Sequence, residues 1–357
     1  MKIGIIGLPQ TGKKTLFEIL TNRKPTENEI ASKKPIKGVV EVKDSRFDVL
    51  AKAYKPKKEV RTRIEIEMLP KLEKDTITEG SIFADINELD AICHVVRAFK
   101  EESIYHVEGS VDPKRDIDLI NAELILHDLV FIEKRMGNIE KEVKWLKEES
   151  VKKEKALLVK LKAHLEKELP LRLMNLTADE KKIISSYLFL TRKSVIAALN
   201  ISEEDLNNTA FIEQMKRDYH AAAIDIMQIS AKIESEIIKM ESGEEREQFL
   251  KELGIKEPAR DALSRLCIKA LDLISFFTVG PDEVRQWTTR AGSTAPEAAG
   301  VIHTDLRKGF IRAEVIKYSD FAIYGSEAKV KEAGKLYVKG KDYIVEDGDM
   351  LDIRFNV

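Results

Sequence analysis

At 357 residues the chain is long enough for two or three domains, each with its own core. Its hydrophobic share of 43% excludes general disorder, and its 34% of charged residues, above the usual proportion, must occupy solvated surface. The 60 basic and 62 acidic residues leave a net charge of -2, which excludes a bulk electrostatic pull towards nucleic acid but leaves local basic patches open.

Residues 2–6 form a short apolar run that turns abruptly at Gly7, and Thr15-Leu16-Phe17-Glu18-Ile19-Leu20 beyond it has the spacing of a helix with one buried face. Strand, glycine loop and helix are predicted in that order. Apolar runs at residues 38–42, 63–69, 91–96, 194–199 and 224–229 predict further strands, and the helical stretches between them predict a mostly parallel α/β sheet. The gap between 96 and 194 is far longer than one crossover helix requires. Within it Ile132, Met136, Ile139, Val143 and Leu146 recur at heptad spacing. After a break near residues 148–155, Leu157, Leu161, Leu165 and Leu169 continue at a spacing of four until Pro170. This segment reads as a coiled-coil-like antiparallel hairpin or as one long solvated helix lying on the body. After about residue 278 the pattern alternates, in residues 310–316 and 350–355, in the manner of half-buried strands, with Asp347-Gly348-Asp349 as a turn. A separate small α+β domain is expected there.

Two cysteines, Cys93 and Cys267, are too few and too distant for a disulfide framework or a zinc site, and Cys93 lies in an apolar run as a core residue. No signal-peptide pattern and no apolar stretch of about 18 residues is present, so a cytoplasmic protein with no membrane partner is expected.

Gly7-Leu8-Pro9-Gln10-Thr11-Gly12-Lys13 has the G-x-x-x-x-G-K spacing of a P-loop. Glycines let backbone N–H groups wrap phosphates, the lysine reaches the terminal phosphates, and the helix N-terminus faces the negative charge. The next position ordinarily carries Ser or Thr for Mg²⁺; here it is Lys14, an ammonium that cannot ligate a metal. Thr15, the remaining candidate metal ligand, is one residue late, about 100° round the helix. Asn200-Ile201-Ser202-Glu203 and Ser230-Ala231-Lys232 each follow a strand, where sheets of this class place ligand loops. Either could be a helix start with Ser202 or Ser230 as N-cap; together they resemble the base-recognition motifs of the GTPase superclass.

With these motifs in view, the chain resembles the Obg-like ATPase (YchF) family over nearly its whole length. The resemblance rests on the P-loop and on Leu89-Asp90-Ala91-Ile92-Cys93-His94-Val95-Val96-Arg97. It extends through His106-Val107-Glu108-Gly109 and Val111-Asp112-Pro113, and most specifically through residues 294–305 and 310–315. It implies a P-loop G domain (1–131 and 183–277), an inserted helical hairpin (132–182), and a C-terminal ubiquitin-like β-grasp (TGS) domain (278–357). It also implies a purine nucleotide, ATP or GTP, as ligand at Gly7–Thr15, Asn200, Ile201, Glu203 and Ser230–Lys232. Ribosome or RNA is implied as partner of the C-terminal and helical parts. Glu203 in place of the usual aspartate, without the preceding lysine, points to ATP.

Departures gather in the catalytic half. The threonine-bearing switch loop of the family reads Ala31-Ser32-Lys33-Lys34-Pro35-Ile36-Lys37, and its Asp-x-x-Gly motif reads Met68-Leu69-Pro70-Lys71. His106 matches a family histidine implicated in hydrolysis, and is otherwise a loop histidine. The expectation is a monomeric nucleotide-binding regulator with weak or lost hydrolysis and an uncertain need for Mg²⁺. The alternatives are an active ribosome-stimulated ATPase or GTPase, or an RNA-binding module with a vestigial G domain. In the last, Arg290, Arg307, Lys308, Arg312 and Arg354 would meet phosphates while Trp287 or Phe310 stacks on bases.

Overall fold

The structure, a computed structural model, describes residues 1–72, 81–142, 148–240, 243–255 and 257–356. It divides into two compact units, Met1–Val39 with Glu65–Ala262, and Val40–Ile64 with Leu263–Val357. The described strands are β1 (Lys2–Ile6), β2 (Ile36–Glu41), β3 (Lys58–Val60), β4 (Arg63–Met68), β5 (Ala91–Arg97), β6 (Ser194–Asn200), β7 (Ile224–Ile229), β8 (Leu273–Thr278), β9 (Glu283–Arg290), β10 (Phe310–Lys317), β11 (Tyr337–Lys339) and β12 (Asp349–Phe355). Among the described residues no helix is long and apolar enough to cross a membrane.

The first unit is built on a sheet of order β2-β4-β1-β5-β6-β7. The pairs β1–β4, β1–β5, β5–β6 and β6–β7 are parallel. All six strand segments expected here from apolar runs lie in this sheet. The runs are continuous because β5 and β6 are buried along nearly their whole length, as parallel strands covered on both faces must be. Cys93 is a core residue, its thiol pushed up to about 12 by burial. From β1 the chain builds outwards to β4 on one side and to β5 on the other, so the carboxyl ends of β1 and β5 form the crevice where such sheets bind ligands.

The long gap is dominated by two long helices, Pro113–Glu142 and Glu148–Leu165. They pack side by side and run in opposite senses, with Glu133 paired to Lys162 at 2.8 Å and Arg135 to Glu154 at 2.7 Å. Ile132, Ile139, Leu157, Leu158, Leu161 and Leu165 meet in one apolar cluster. Val143 and Leu146 lie outside the described residues. Two details differ from the sequence reading. The charged stretch 148–155, read as a break, is the start of the second helix, because charge on the solvent face does not interrupt a helix. Leu169 is 40% exposed, since the chain turns out of the helix at Glu168, whose φ is 61°.

The second unit contains a sheet of order β11-β10-β12-β8-β9-β3. Neighbours are antiparallel in β10–β11, β10–β12 and β8–β9, and parallel in β12–β8 and β3–β9. The expected half-buried strands are covered on both faces at the sheet centre. Phe276, Val315 and Leu351 enter a cluster with Ala295, Ala298 and Ala299 of the helix Ala295–Ile302. Their neighbours Phe277, Ile316 and Met350 enter another with Phe47 and Leu50 of the helix Ser45–Tyr54. Successive residues of a strand point to opposite faces, so each adjacent pair splits between the two cores. Arg46 holds this second layer in place, bonding Asp44 and, at 2.7 and 3.1 Å, both carboxylate oxygens of Asp347 in the turn before β12.

Candidate nucleotide-binding site

The P-loop leaves the carboxyl end of β1 and runs into the helix Lys13–Thr21. Gly12 sits at φ 93°, a conformation that excludes most side chains, and a Cβ there would lie 2.3 Å from Asn200 Nδ2. A Cβ on Gly7 would lie 2.6 Å from the Val95 carbonyl oxygen. Glycine is required at both positions by close approach. Thr11 Oγ1 donates to the Leu8 carbonyl at 3.1 Å, closing the loop on itself, and Gln10 takes φ 62° at its tip. No side chain caps the helix and no acid lies in its first turn, so its N–H groups and positive dipole end face the loop. Lys13, 9% exposed, reaches across to donate to the Pro70 carbonyl at 2.7 Å and the Gly7 carbonyl at 3.4 Å.

A cavity of about 590 Å³ opens in front of the loop, within the range of ligand pockets. Leu8, Pro9, Gln10, Thr11, Gly12, Lys13, Lys14 and Thr15 all line it. Its other walls come from residues 29–31, Lys33, Lys34 and Ile36, and from Met68, Leu69, Pro70 and Lys71. His94, on β5 opposite Ile6 of β1, is 2% exposed, and its Nε2 has no hydrogen-bond partner. Burial, with the Lys13 ammonium adding to it, pushes this imidazole down to about 3, so it stays neutral.

Asn200, at the end of β6, joins the P-loop to the second base-side motif. Its Nδ2 donates to the Thr11 carbonyl at 3.0 Å, and its Oδ1 accepts the Ala231 N–H at 3.1 Å. Ile201 donates to the Ile229 carbonyl at 2.8 Å, which fixes the two carboxyl-end loops side by side. Ser202 does not cap a helix; its hydroxyl donates to Asp205 at 2.7 Å. Ser230 does not cap through its side chain either, and its buried Oγ has no hydrogen-bond partner. Glu203 and Lys232 are exposed. Neither base-side motif lines the cavity in front of the P-loop.

His106 is 5% exposed and committed within its own loop. Nδ1 accepts the Glu108 N–H at 3.2 Å, which leaves Nε2–H to donate to Asp116 at 3.1 Å. It does not line the cavity. Sequence reasoning missed the organiser of that loop, Arg97, whose guanidinium is 1% exposed and binds the carbonyls of Phe99, Glu101 and Ile104. A buried Arg closing a strand is the signal that was available. Phe310, one of two stacking candidates in the RNA-binding alternative, is 5% exposed core, while Arg312 and Arg354 both pair with Glu314.

Phosphates fit this cradle; a P-loop magnesium site does not. Lys14 points along the helix to Glu18 at 4.0 Å. Thr15 lines the cavity as a single hydroxyl, and Glu29 is bonded to Arg23 and to its own helix cap at Thr26. At the end of β4, where a carboxylate would be needed, Pro70 offers a carbonyl that already receives Lys13. Among the described residues no group of three or more His, Cys, Asp or Glu could hold a metal ion.

A glycine loop and helix N-terminus at the switch point of a mostly parallel sheet, braced by an asparagine from another strand of that sheet, define a P-loop nucleotide-binding protein of the G-domain type. The family model YchF-GTPase_C, described as a protein of unknown function (DUF933), matches residues 273–356. The Ribosome-binding ATPase YchF of Bacillus subtilis (strain 168) is 40% identical over 363 residues, covering 99% of each chain. That of Escherichia coli O157:H7 is 39% identical over 362 residues, covering 100% of this chain and 99% of the relative. The solved YchF GTPase of Schizosaccharomyces pombe superposes with a TM-score of 0.85 at 33% identity, over 99% of this chain and 97% of that one. The chain belongs to the YchF family.

Proposed function

We propose that the protein binds a purine nucleotide, ATP in preference to GTP, hydrolyses it weakly or not at all, and acts with the ribosome as a nucleotide-dependent regulator. The observation that carries this reading is a formed phosphate cradle beside altered metal-binding and γ-phosphate-sensing positions, Lys14 and Met68–Lys71. The phosphates would lie against the N–H groups of Gly7–Thr15, with Lys13 exchanging the Pro70 and Gly7 carbonyls for phosphate oxygens. The base would lie towards Asn200, Ile201, Glu203 and the Ser230-Ala231-Lys232 segment, where the Ser230 hydroxyl awaits a partner. Glu203 is one methylene longer than the usual aspartate and lacks a preceding lysine, which disfavours guanine. Phosphoryl transfer relies on charge neutralisation, so the altered positions cost rate more than affinity.

Ribosome association rests on the names of the bacterial relatives. In this reading the helical hairpin (132–182) and a TGS-type domain (278–357) make the contacts, and the protein works as a cytoplasmic monomer. A second reading, a working ATPase, is favoured by the retained Lys13 and by those same names. Binding and turnover of ATP and GTP, with and without ribosomes, separate the two. Binding without appreciable turnover is expected; ribosome-stimulated hydrolysis that vanishes in Lys13→Ala establishes the second reading instead.

A further inference from the structure

The wall of the cavity opposite the P-loop is lysine-rich in a way that the P-loop motif does not require. Lys33, Lys34 and Lys71 stand there, while Lys13 and Lys14 line the P-loop side. The loop that carries the first two is fixed. Thr26 and Glu29 form a reciprocal cap on the helix Glu27–Ala31, and Ser32 Oγ donates to the Glu29 carbonyl at 2.7 Å. The same oxygen accepts the Lys34 N–H at 3.3 Å, and Lys33 adopts φ 51°, a left-handed turn. The buried Ile36 then starts β2 and anchors the far end. Both lysines are thereby delivered to the cavity wall in sequence positions where the family's switch loop carries a threonine. Glu29 is the one carboxylate among the described lining residues, and it is occupied by Arg23 and the cap.

We infer that Lys33 and Lys34 take the place of the divalent cation, so that this site binds its nucleoside triphosphate free of metal. The inference rests on the reading of the cavity as a nucleotide site. A magnesium ion removes two charges from a triphosphate; two ammonium groups on the opposite wall remove the same two without needing carboxylate or hydroxyl ligands. A metal–nucleotide complex would instead bring a dication towards a wall of lysines, where the one lining carboxylate, Glu29, is committed and the other side-chain oxygens are the neutral ones of Gln10, Thr11 and Thr15. The ligand class is therefore a metal-free nucleoside triphosphate, and added Mg²⁺ acts as a competitor by complexing it in solution.

The test is calorimetric titration of the full chain with ATP, in EDTA and in excess Mg²⁺, for the wild type and for Lys33→Ala/Lys34→Ala. Both lysines are exposed, so the double variant folds, which its circular dichroism checks. The expected result is binding in EDTA at least as tight as in Mg²⁺, and about a tenfold loss of metal-free affinity in the double variant, the size of two exposed charge-assisted contacts. Tighter binding in Mg²⁺ than in EDTA by about tenfold overturns the inference, as does a double variant with wild-type affinity for metal-free ATP. Failure to bind under either condition overturns the nucleotide reading itself, which keeps the two failures apart.

Discussion

Asn200→Ala probes the site at the point where two separate loops depend on one side chain. The amide donates to the Thr11 carbonyl at 3.0 Å and accepts the Ala231 N–H at 3.1 Å. Asn200 is 5% exposed, Thr11 2% and Ala231 5%, so truncation leaves a carbonyl and an N–H that solvent reaches poorly. Each buried group left unpaired costs about 1–3 kcal/mol, so the two together cost about 2–6 kcal/mol of unit stability. The loss falls on the phosphate loop rather than on the apolar core. If about 1.4 kcal/mol of it is spent in loosening that loop, ATP affinity falls about tenfold. Calorimetric titration with ATP and thermal unfolding by circular dichroism measure the two effects. Asn200→Asp is the informative companion, because an ionised carboxylate still accepts from Ala231 but faces the Thr11 carbonyl without a proton to donate. Its defect should shrink at acid pH, where the carboxyl can donate again. An Asn200→Ala protein with wild-type melting temperature and ATP affinity within about twofold would refute the bracing role.

Three further outcomes are expected. Lys13→Ala should lose about 100-fold in ATP affinity, the value of two charge-assisted contacts, with little change in unfolding; retained binding refutes the P-loop assignment. Burial lifts the Glu234 carboxyl from 4.5 to about 7, above its unfolded value. The folded chain thus binds this proton more tightly, and about 3 kcal/mol of stability, present below the unfolded pKa, is lost as pH rises through about 7. Glu234→Gln keeps an acceptor for the Ala259 N–H, at 2.6 Å from Glu234, and should flatten that slope; an unchanged slope refutes it. Arg46→Ala removes the guanidinium bonds to Asp44 and Asp347, and should destabilise the second unit by about 1–2 kcal/mol, followed by Trp287 fluorescence in urea; an unmoved midpoint counts against the clamp.

The strands of the first sheet were legible because their burial on both faces writes them as unbroken apolar runs, and the P-loop because its glycines answer to close backbone approach. Membership of the family was legible from motif residues alone. The role of Asn200 as a brace was not, since an asparagine after a strand carries no sign of which carbonyl it will meet 189 residues away. Nor was the grouping of residues 40–64 with the C-terminal strands. Phe47, Leu50 and Ala51 pack against the C-terminal strands, and apolar spacing in a sequence can state that a face is buried without stating against what. The half-buried reading of β10 and β12 failed for a related reason: alternation is visible in their exposed ends, while at Val315-Ile316 and Met350-Leu351 both faces are apolar. Lys33 and Lys34 were visible only as a departure from the family's switch loop, and their place on the cavity wall came from the fold.

That grouping has a consequence for the order of events during synthesis. Residues 40–64 leave the ribosome early, but the strands that complete their sheet begin at Leu273, about 200 residues later. At roughly 5–20 residues per second, the helix Ser45–Tyr54 and strand β3 wait roughly 10–40 s for β9 and the C-terminal core to exist. Phe47 and Leu50, fully buried in the finished unit, lack that cover throughout this interval. A nascent chain halted before Leu263 should therefore present this apolar face to a holdase chaperone, and release of the complete chain should withdraw it.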